Sequence, residues 1–514
     1  MAADSTKTSR YTETERKFEV VDTTVAPSFA GLSAVARAER SLSQSLDAVY
    51  FDTPGGDLRR HRITLRRRTG GTDAGWHVKL PAGPDTRTEV RAPLDDDADP
   101  TADGDDTAVV PEAIRDVVLA IVRDQSLAPV ARIRTVRTVE TLYGTDGVQI
   151  AEFCDDRVSA SADGGDEMRW REWELELAPG ADPELFDRLT NRLLDAGAQP
   201  AGHGSKLARV LSTDAADSES TVSGDPLHRA VAAHVEELLE WDRAVRADVD
   251  DSVHQMRVTV RKIRSLLQSA EDTFGITDDH WVLEELRELG AVLGIARDAE
   301  VLAERYERAL DALPADEVRG PVRARLVEGA RKRYQTGWKR SLSAMRSPRY
   351  FRLLDALEAL TGAEPPAERK AEKTADRIES AYRRVRKAVK AARTAAGEAG
   401  AESPDADGPN ADEALHRIRK RAKRLRYTAA ASAKTKVADR AKAVQSLLGD
   451  HQDSVVSRAH LSRQAESAHA AGEDTFTYGV LYQQEADLAQ RCEEQLDAAL
   501  KDLDKAVAKA TKGG

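Results

Sequence analysis

Residues 12–20, TETERKFEV, decide how the first 211 residues are read. Side chains of a β-strand alternate between its two faces. Glu13, Glu15 and Lys17 therefore share one face. The pattern recurs. In HRITLRRR (61–68), Arg62, Arg66 and Arg68 oppose Ile63 and Leu65; in GWHVKLP (75–81), Lys79 opposes Trp76, Val78 and Leu80. TRTEVR (86–91) groups Arg87, Glu89 and Arg91, and WREWELEL (170–177) groups Glu172, Glu174 and Glu176 opposite Trp173, Leu175 and Leu177. One such strand describes an antiparallel sheet with a wet face. Five, carrying mixed carboxylates and cations in place of Ser and Thr, predict a closed sheet with its charged faces turned towards a polar lumen. Helices expected near 28–46, 111–127 and 182–197 would cover its apolar outside. Enclosing an unpaired ion costs several kcal/mol, so the lumen must be wet and take a charged ligand. Arg and Lys match phosphate oxygens, and clustered Glu matches a hard divalent cation such as Mg²⁺.

The remaining composition sets the frame. The chain has 514 residues, 77 basic and 89 acidic, for a net −12, and is 40% apolar. That is enough apolar content for ordinary cores and excludes a wholly disordered chain. No apolar run reaches the length of a membrane span, and the N-terminus lacks an apolar signal core, so a cytoplasmic protein without membrane contact is expected. Cys154 and Cys492 lie too far apart for a disulfide framework or metal knuckle. Residues 1–211 hold 27 basic and 37 acidic residues, residues 226–514 hold 50 and 48. A solvated acidic loop is expected at 95–106. The expected organisation is a first domain over 1–211, a linker over 212–226 and a helical domain over 227–514. The helical domain divides into halves at about 227–396 and 413–514, joined by a linker at 397–412.

That helical region repeats itself. In VHQMRVTVRKIRSLL, Arg257, Arg261, Lys262 and Arg264 follow His254 at +3, +7, +8 and +10; in LHRIRKRAKRLRYTA, Arg419, Lys423, Arg424 and Arg426 follow His416 at the same offsets. At roughly 100° per residue, offsets 0, 3, 7 and 10 span an arc of only about 80°. A solvated amphipathic helix also has a polar face. Here, however, no acid falls between Ala414 and Ala438, so the counter-charge must come from outside, and a polyanion fits. Leu293-Gly294-x-x-Arg297-Asp298 and Leu448-Gly449-x-x-Gln452-Asp453 repeat behind the two stripes. Neither helix has an HxxxH or HxxE pair, which argues against metal binding by the histidines.

Glu13-x-Glu15-x-Lys17 resembles the ExExK signature of the CYTH superfamily, the triphosphate tunnel metalloenzymes. Tyr50-Phe51-Asp52-Thr53, Leu65-Arg66-Arg67-Arg68, Trp76-His77-Val78-Lys79-Leu80, Arg87-Thr88-Glu89, Arg132 to Arg137, the Glu172/Glu174/Glu176 strand and Ser205-Lys206-Leu207 follow in family order. The resemblance implies a multidomain α+β protein whose N-terminal part is an antiparallel closed β-barrel with flanking helices. It implies phosphate binding by Arg66, Arg68, Lys79, Arg87, Arg134 or Arg137, and Lys206. It implies one or two Mg²⁺ or Mn²⁺ ions on Glu13, Glu15, Glu89, Glu174 and Glu176, with Glu172 the third glutamate of that strand and a further carboxylate from Glu152, Asp155 or Asp156, of which Asp156 is preferred. Lys17 would steady the substrate or the attacking water. Arg134 and Arg137 differ in strand parity, so only one would face the lumen without a bulge. The implied chemistry is metal-dependent hydrolysis of a phosphoanhydride in a triphosphate or short inorganic polyphosphate.

The helical repeat resembles the CHAD domain, an all-α module of two similar bundles. This resemblance implies binding of inorganic polyphosphate by His254, Arg257, Arg261, Lys262, Arg264, His416, Arg419, Lys423, Arg424 and Arg426. It brings with it polyphosphate-containing complexes or granules as partners. The competing readings are a non-enzymatic polyphosphate adaptor, a class IV-type adenylyl cyclase and a backbone-only nucleic-acid binder. With 24 aromatics in the chain and none within the first basic stripe, a base-stacking surface is not expected.

Overall fold

The computed structural model describes residues 8–83, 85–94, 109–211, 226–269, 274, 280–362, 374–398, 409–431 and 434–511. The expected acidic loop at 95–106, and most of the expected linkers at 212–226 and 397–412, lie outside the described residues. No described helix is long and apolar enough to cross a membrane.

Ten strands are present among the described residues: β1 Ser9–Val20, β2 Arg37–Arg40, β3 Gln44–Asp52, β4 Thr64–Thr69, β5 Gly75–Pro81, β6 Thr86–Ala92, β7 Ala128–Tyr143, β8 Gln149–Ala162, β9 Met168–Leu177 and β10 Gln199–Pro200. Eight of them pair in the order β1-β6-β5-β4-β3-β7-β8-β9, and β9 pairs back onto β1, closing an antiparallel barrel. The apolar outer faces are covered as the alternation requires. Helix α2 (Glu112–Val122; α1 is the turn Asp57–Arg60) packs Ile114, Val118, Ile121 and Val122 on Leu65, Trp76, Val78, Leu80 and Val90. Helix α3 (Pro183–Asp195) packs Leu185, Phe186, Leu189 and Leu193 on Phe18, Phe153, Trp173 and Leu175. Asp182 caps α3 by accepting from Glu184 N at 2.9 Å, with Pro183 in the first turn.

The helix expected over 28–46 does not form. Turns run to residue 36, followed by β2 and β3. Phe29 is buried against Phe153 with ring centroids 5.4 Å apart, Gly31 has φ +87°, and Arg37–Arg40 pair with β7. Pairing with distant strands overrides the local helical spacing.

The helical region runs α5 Pro226–Arg246, α6 Ser252–Ser269, α7 Trp281–Asp311, α8 Gly329–Met345, α9 Pro348–Gly362, α10 Thr374–Glu398, α11 Pro409–Ala431, α12 Thr435–Ala470 and α13 Phe476–Thr511. The chain forms two compact units. The first holds the barrel together with Asp242–Val249 and Met345–Asp355, so it takes in residues beyond the expected boundary at 212–226. In the second, Ile378, Ala381, Val385 and Val389 of α10 share one core with α11, α12 and α13. Helix α10, expected in the first half, therefore belongs to the second bundle. Its apolar spacing is evident in the sequence, but spacing does not say which bundle it fills.

Candidate active site and basic helical cluster

Strand parity builds the lumen. A cavity of about 290 Å³ inside the barrel is lined by Lys17, Arg66, Arg68, Lys79, Arg87, Arg91, Arg137 and Lys206, and by the carboxylates of Glu13, Glu15, Asp73, Glu152, Glu174 and Glu176. The register places Glu15 opposite Glu176 and Lys17 opposite Glu174. Lys79 Nζ lies 2.6 Å from Glu13, and Lys17 Nζ lies 2.9 Å from Glu15 and 2.6 Å from Glu174. Burial raises the Glu15 carboxyl, but Lys17 and Lys79 outweigh it and bring its pKa down to about 2. Burial likewise disfavours the Lys17 ammonium, yet Glu15 and Glu174 hold its pKa above the ordinary lysine value. Lys17 therefore stays charged and cannot act as a base.

The family-order motifs acquire physical reasons. In Tyr50-Phe51-Asp52-Thr53, Tyr50 faces the lumen and Phe51 the outer core, while the Asp52 carboxylate accepts from Thr53 N at 2.7 Å and Leu58 N at 2.9 Å and so fastens α1. In Ser205-Lys206-Leu207, Ser205 caps the short helix α4 (Lys206–Val210) by accepting from Ala208 N at 3.1 Å. Leu207 and Val210 pack on Ala48, Ile133 and Val158, and Lys206 is thereby aimed into the barrel.

The structure sorts the expected phosphate and metal residues. On β7, Ile133, Thr135 and Arg137 face in, with no register shift between 134 and 137. Arg134 faces out, is more than half exposed and pairs with Asp47 at 3.4 Å. The expectation that Arg134 contacts phosphate is corrected by parity. Glu89, Asp156 and Glu172 do not line the cavity; they are buried behind it. Glu89 is bound by Tyr11, by His77 Nδ1 at 2.9 Å and by Arg91 at 2.6 Å. Burial, then Glu176, pushes its carboxyl up to about 8. Arg91 lines the cavity, as its shared parity with Arg87 and Glu89 requires, although neither it nor Tyr50 was assigned a site role from the sequence; Asp73 was missed altogether. Asp73 sits on the β4–β5 turn, where it pairs with Arg68, and no periodic signal marks it.

Among the described residues, one carboxylate triad has the spacing of a divalent-ion site. The oxygens of Asp156, Glu172 and Glu174 lie within 4.8 Å of one another, yet Lys206 Nζ already sits 2.9, 2.7 and 2.7 Å from them. An ammonium fills that triad. Around Glu176 the balance differs. Burial, then Glu13, raises its carboxyl to about 7, with Glu15 and Glu152 adding to the repulsion and only Lys79 opposing it. Oxygen donors with unrelieved like charge fit a hard cation. Glu176 is the carboxylate whose burial and repulsion such an ion would relieve; Glu13 and Glu15 beside it already meet Lys79 at 2.6 Å and Lys17 at 2.9 Å.

In the second unit the two basic stripes converge. Burial, then the charges of Arg261, Arg419, Arg257 and Arg426, bring the pKa of Lys423 down to about 7. Arg261 is depressed by burial and by Arg257, Arg419 and Arg426, and its Nε has no hydrogen-bond partner. Lys262 departs from the expected set. Its ammonium pairs with Glu237 at 3.2 Å, as its +8 offset, outside the common arc, explains. Arg264 donates to the Leu283 carbonyl at 3.2 Å and Arg426 to Gln445 at 3.2 Å. Burial, then Arg297, lowers the pKa of His254; burial, then Lys420, lowers that of His416. At neutral pH both histidines add little charge.

Comparison with known proteins gives consistent matches. Residues 12–199 match the CYTH domain family and residues 229–462 the CHAD domain family. Uncharacterised proteins from two strains of Mycobacterium tuberculosis are 60% identical over 99% of this chain and 100% of their own length. Among solved structures, PptA from Streptomyces chartreusis aligns with 55% of this chain and 100% of its own at 18% identity and a TM-score of 0.43. The CHAD domain from the plant Ricinus communis aligns with 54% of this chain and 90% of its own, at 24% identity and a TM-score of 0.38.

Proposed function

This chain belongs to the proteins that join a CYTH domain to a CHAD domain, and on that premise we propose that its barrel hydrolyses a triphosphate or short-chain inorganic polyphosphate. The proposed reaction depends on Mg²⁺ or Mn²⁺, and the helical unit binds inorganic polyphosphate. One observation carries the reading: eight cationic side chains converge on a closed lumen that also holds Glu13, Glu15 and Glu176, and of these Glu176 is held raised by burial and by Glu13.

Arg66, Arg68, Lys79, Arg87, Arg91 and Arg137 would hold phosphate oxygens, each charge-assisted contact contributing roughly 1.5–3 kcal/mol before ordering costs. That spread of contacts favours a chain of phosphates over a monoester. Lys17, held charged between Glu15 and Glu174, would stabilise negative charge in the transition state and fix the orientation of both glutamates. Lys206, locked by its three carboxylates, would set the far wall of the site. A divalent ion on Glu13, Glu15 and Glu176 would supply charge neutralisation at the phosphates and lower the pKa of bound water.

The test is phosphate release from tripolyphosphate by the full chain with Mg²⁺ or Mn²⁺, against a chelator control. Turnover in neither metal overturns the reading. Cyclic nucleotide and pyrophosphate from ATP would instead identify a cyclase, and polyphosphate binding without turnover an adaptor.

Lys423 makes the helical half of the reading testable by pH. In the free protein its amine titrates near 7. A bound polyanion favours the charged form and raises that pKa, so binding takes up a proton above pH 7. Affinity for polyphosphate should therefore fall between pH 7 and 9, by at most about tenfold per pH unit for one linked proton. Titrations of Lys423→Met should remove that part of the pH dependence; an unchanged profile would show that Lys423 does not meet the anion.

A further inference from the structure

The repeated Leu-Gly pairs at 293–294 and 448–449 have no role in the chemistry described so far. Both glycines lie inside long helices, Gly294 in α7 and Gly449 in α12. Neither has a left-handed backbone, so conformation does not require glycine, and glycine is the poorest ordinary residue in a helix interior. What stands over each is the same side chain of the repeat. A Cβ on Gly294 would lie 3.3 Å from Nη2 and 3.5 Å from Cζ of Arg257; a Cβ on Gly449 would lie 3.2 Å from Nη2 and 3.6 Å from Cζ of Arg419. Arg257 and Arg419 are the +3 residues of the two basic stripes.

The guanidinium of Arg257 lies along one helix face. Its Nε donates to the Gly290 carbonyl at 3.3 Å, and its Nη1 is 3.8 Å from Asp298, one turn either side of Gly294. In the second copy, Arg419 lowers the pKa of Asp453, the residue one turn beyond Gly449, although burial dominates and leaves it raised. Asp298 is largely exposed, so it holds the guanidinium without burying its charge. The helices that carry the two stripes, α6 and α11, touch one another, and Arg257 and Arg419 both lie close enough to Arg261 and Lys423 to lower their pKa values.

We propose that Gly294 and Gly449 are positioning residues: each is a notch that seats one guanidinium flat on its helix, so that the two repeats present one joint anion site. The ligand class is a linear polyanion with closely spaced phosphates. The inference rests on the polyphosphate reading above and adds to it the residues that aim its contacts. The three atoms nearest a Cβ at either position all belong to the guanidinium of a flexible arginine, so the arginine and not the backbone gives way when a side chain is added.

The experiment uses the full chain and long-chain inorganic polyphosphate, with chelator present so that nothing turns over. Gly294→Ala and Gly449→Ala should each weaken binding roughly three- to tenfold and lower the slope of log affinity against log salt by about one contact. Melting temperature should stay level or rise, since alanine is the better helix former. Gly479→Ala in α13, where a Cβ would meet nothing within 4 Å, should leave binding unchanged. In an Arg257→Ala background, Gly294→Ala should cost nothing further, because the two act as one unit. Equal loss in that background, or full binding by both alanine variants, overturns the inference. A wild-type chain that binds no polyphosphate overturns the polyphosphate reading and the inference together.

Discussion

Glu13→Ala should lower phosphate release from tripolyphosphate by at least about a hundredfold, the scale seen when one preorganised electrostatic group is removed from a site. Glu13 is buried, and its carboxylate meets Lys79 at 2.6 Å and Arg91 at 3.6 Å. It stands opposite Arg87 in the β1–β6 register. Its loss would act twice. It takes one oxygen donor from the group proposed to hold the ion, and it frees two cations to grip phosphate in a geometry fixed by no carboxylate. The second effect should tighten ground-state binding while the first removes transition-state stabilisation, so KM should fall or stay level as kcat drops. Glu13→Gln keeps the shape and isolates the charge. Full kcat in either variant, with an unchanged melting temperature, would exclude Glu13 from the reaction. Loss of activity accompanied by loss of folding would be read from the Gln variant instead.

The barrel was legible because period two is a local property. Glu13, Glu15, Lys17, Arg66, Arg68, Lys79 and Arg87 each face the cavity as alternation within their own strands requires. The same rule separates Arg137 from Arg134 once the register is known to carry no bulge between them. What alternation could not reveal is depth. Glu89, Asp156 and Glu172 share the inward parity of the cavity residues but lie behind them, because partners from other strands and from α4 reach them first. The missed turn segment at 28–36 has the same origin: Phe29 satisfies its apolar demand against Phe153, more than a hundred residues away. In the helical region, arc arithmetic placed Arg257, Arg261, Arg419, Lys423 and Arg426 on common faces. Nothing in one stripe announces that the other will lie beside it. The purpose of Gly294 and Gly449 was equally hidden, because it depends on which arginine crosses them.

Lys206→Met should be among the most destabilising single substitutions in the barrel. The Lys206 ammonium holds Asp156, Glu172 and Glu174 at 2.7–2.9 Å. Arg137 meets only Asp156 and Glu174. Methionine matches the volume but leaves Glu172 without a cation there and the other two dependent on Arg137 and, for Glu174, Lys17. Breaking a buried ion pair by removing one partner costs about 3–5 kcal/mol. For a domain of this size that corresponds to a fall in melting temperature of roughly 6–20 °C. The pH dependence between 8 and 5 should change as well. In the native chain burial raises the Asp156 and Glu174 carboxyls, but the surrounding cations outweigh it, so both pKa values lie below the ordinary carboxylate range. Groups depressed in this way stabilise the fold above their unfolded pKa of about 4 and lose that contribution only as pH falls through the native values. Between pH 8 and 5 they leave native stability level. Without Lys206, burial gains the upper hand over the weakened counter-charge and drives these pKa values upward, so protonation in the folded state begins at higher pH. The variant should then gain stability as pH falls from 8 to 5, narrowing its gap to the native chain. Thermal melts of both proteins at the two pH values decide it. A gap that is the same at both, or a fall of less than about 2 °C, would mean that Arg137 and Lys17 suffice to neutralise the triad and that Lys206 is free to serve the substrate alone.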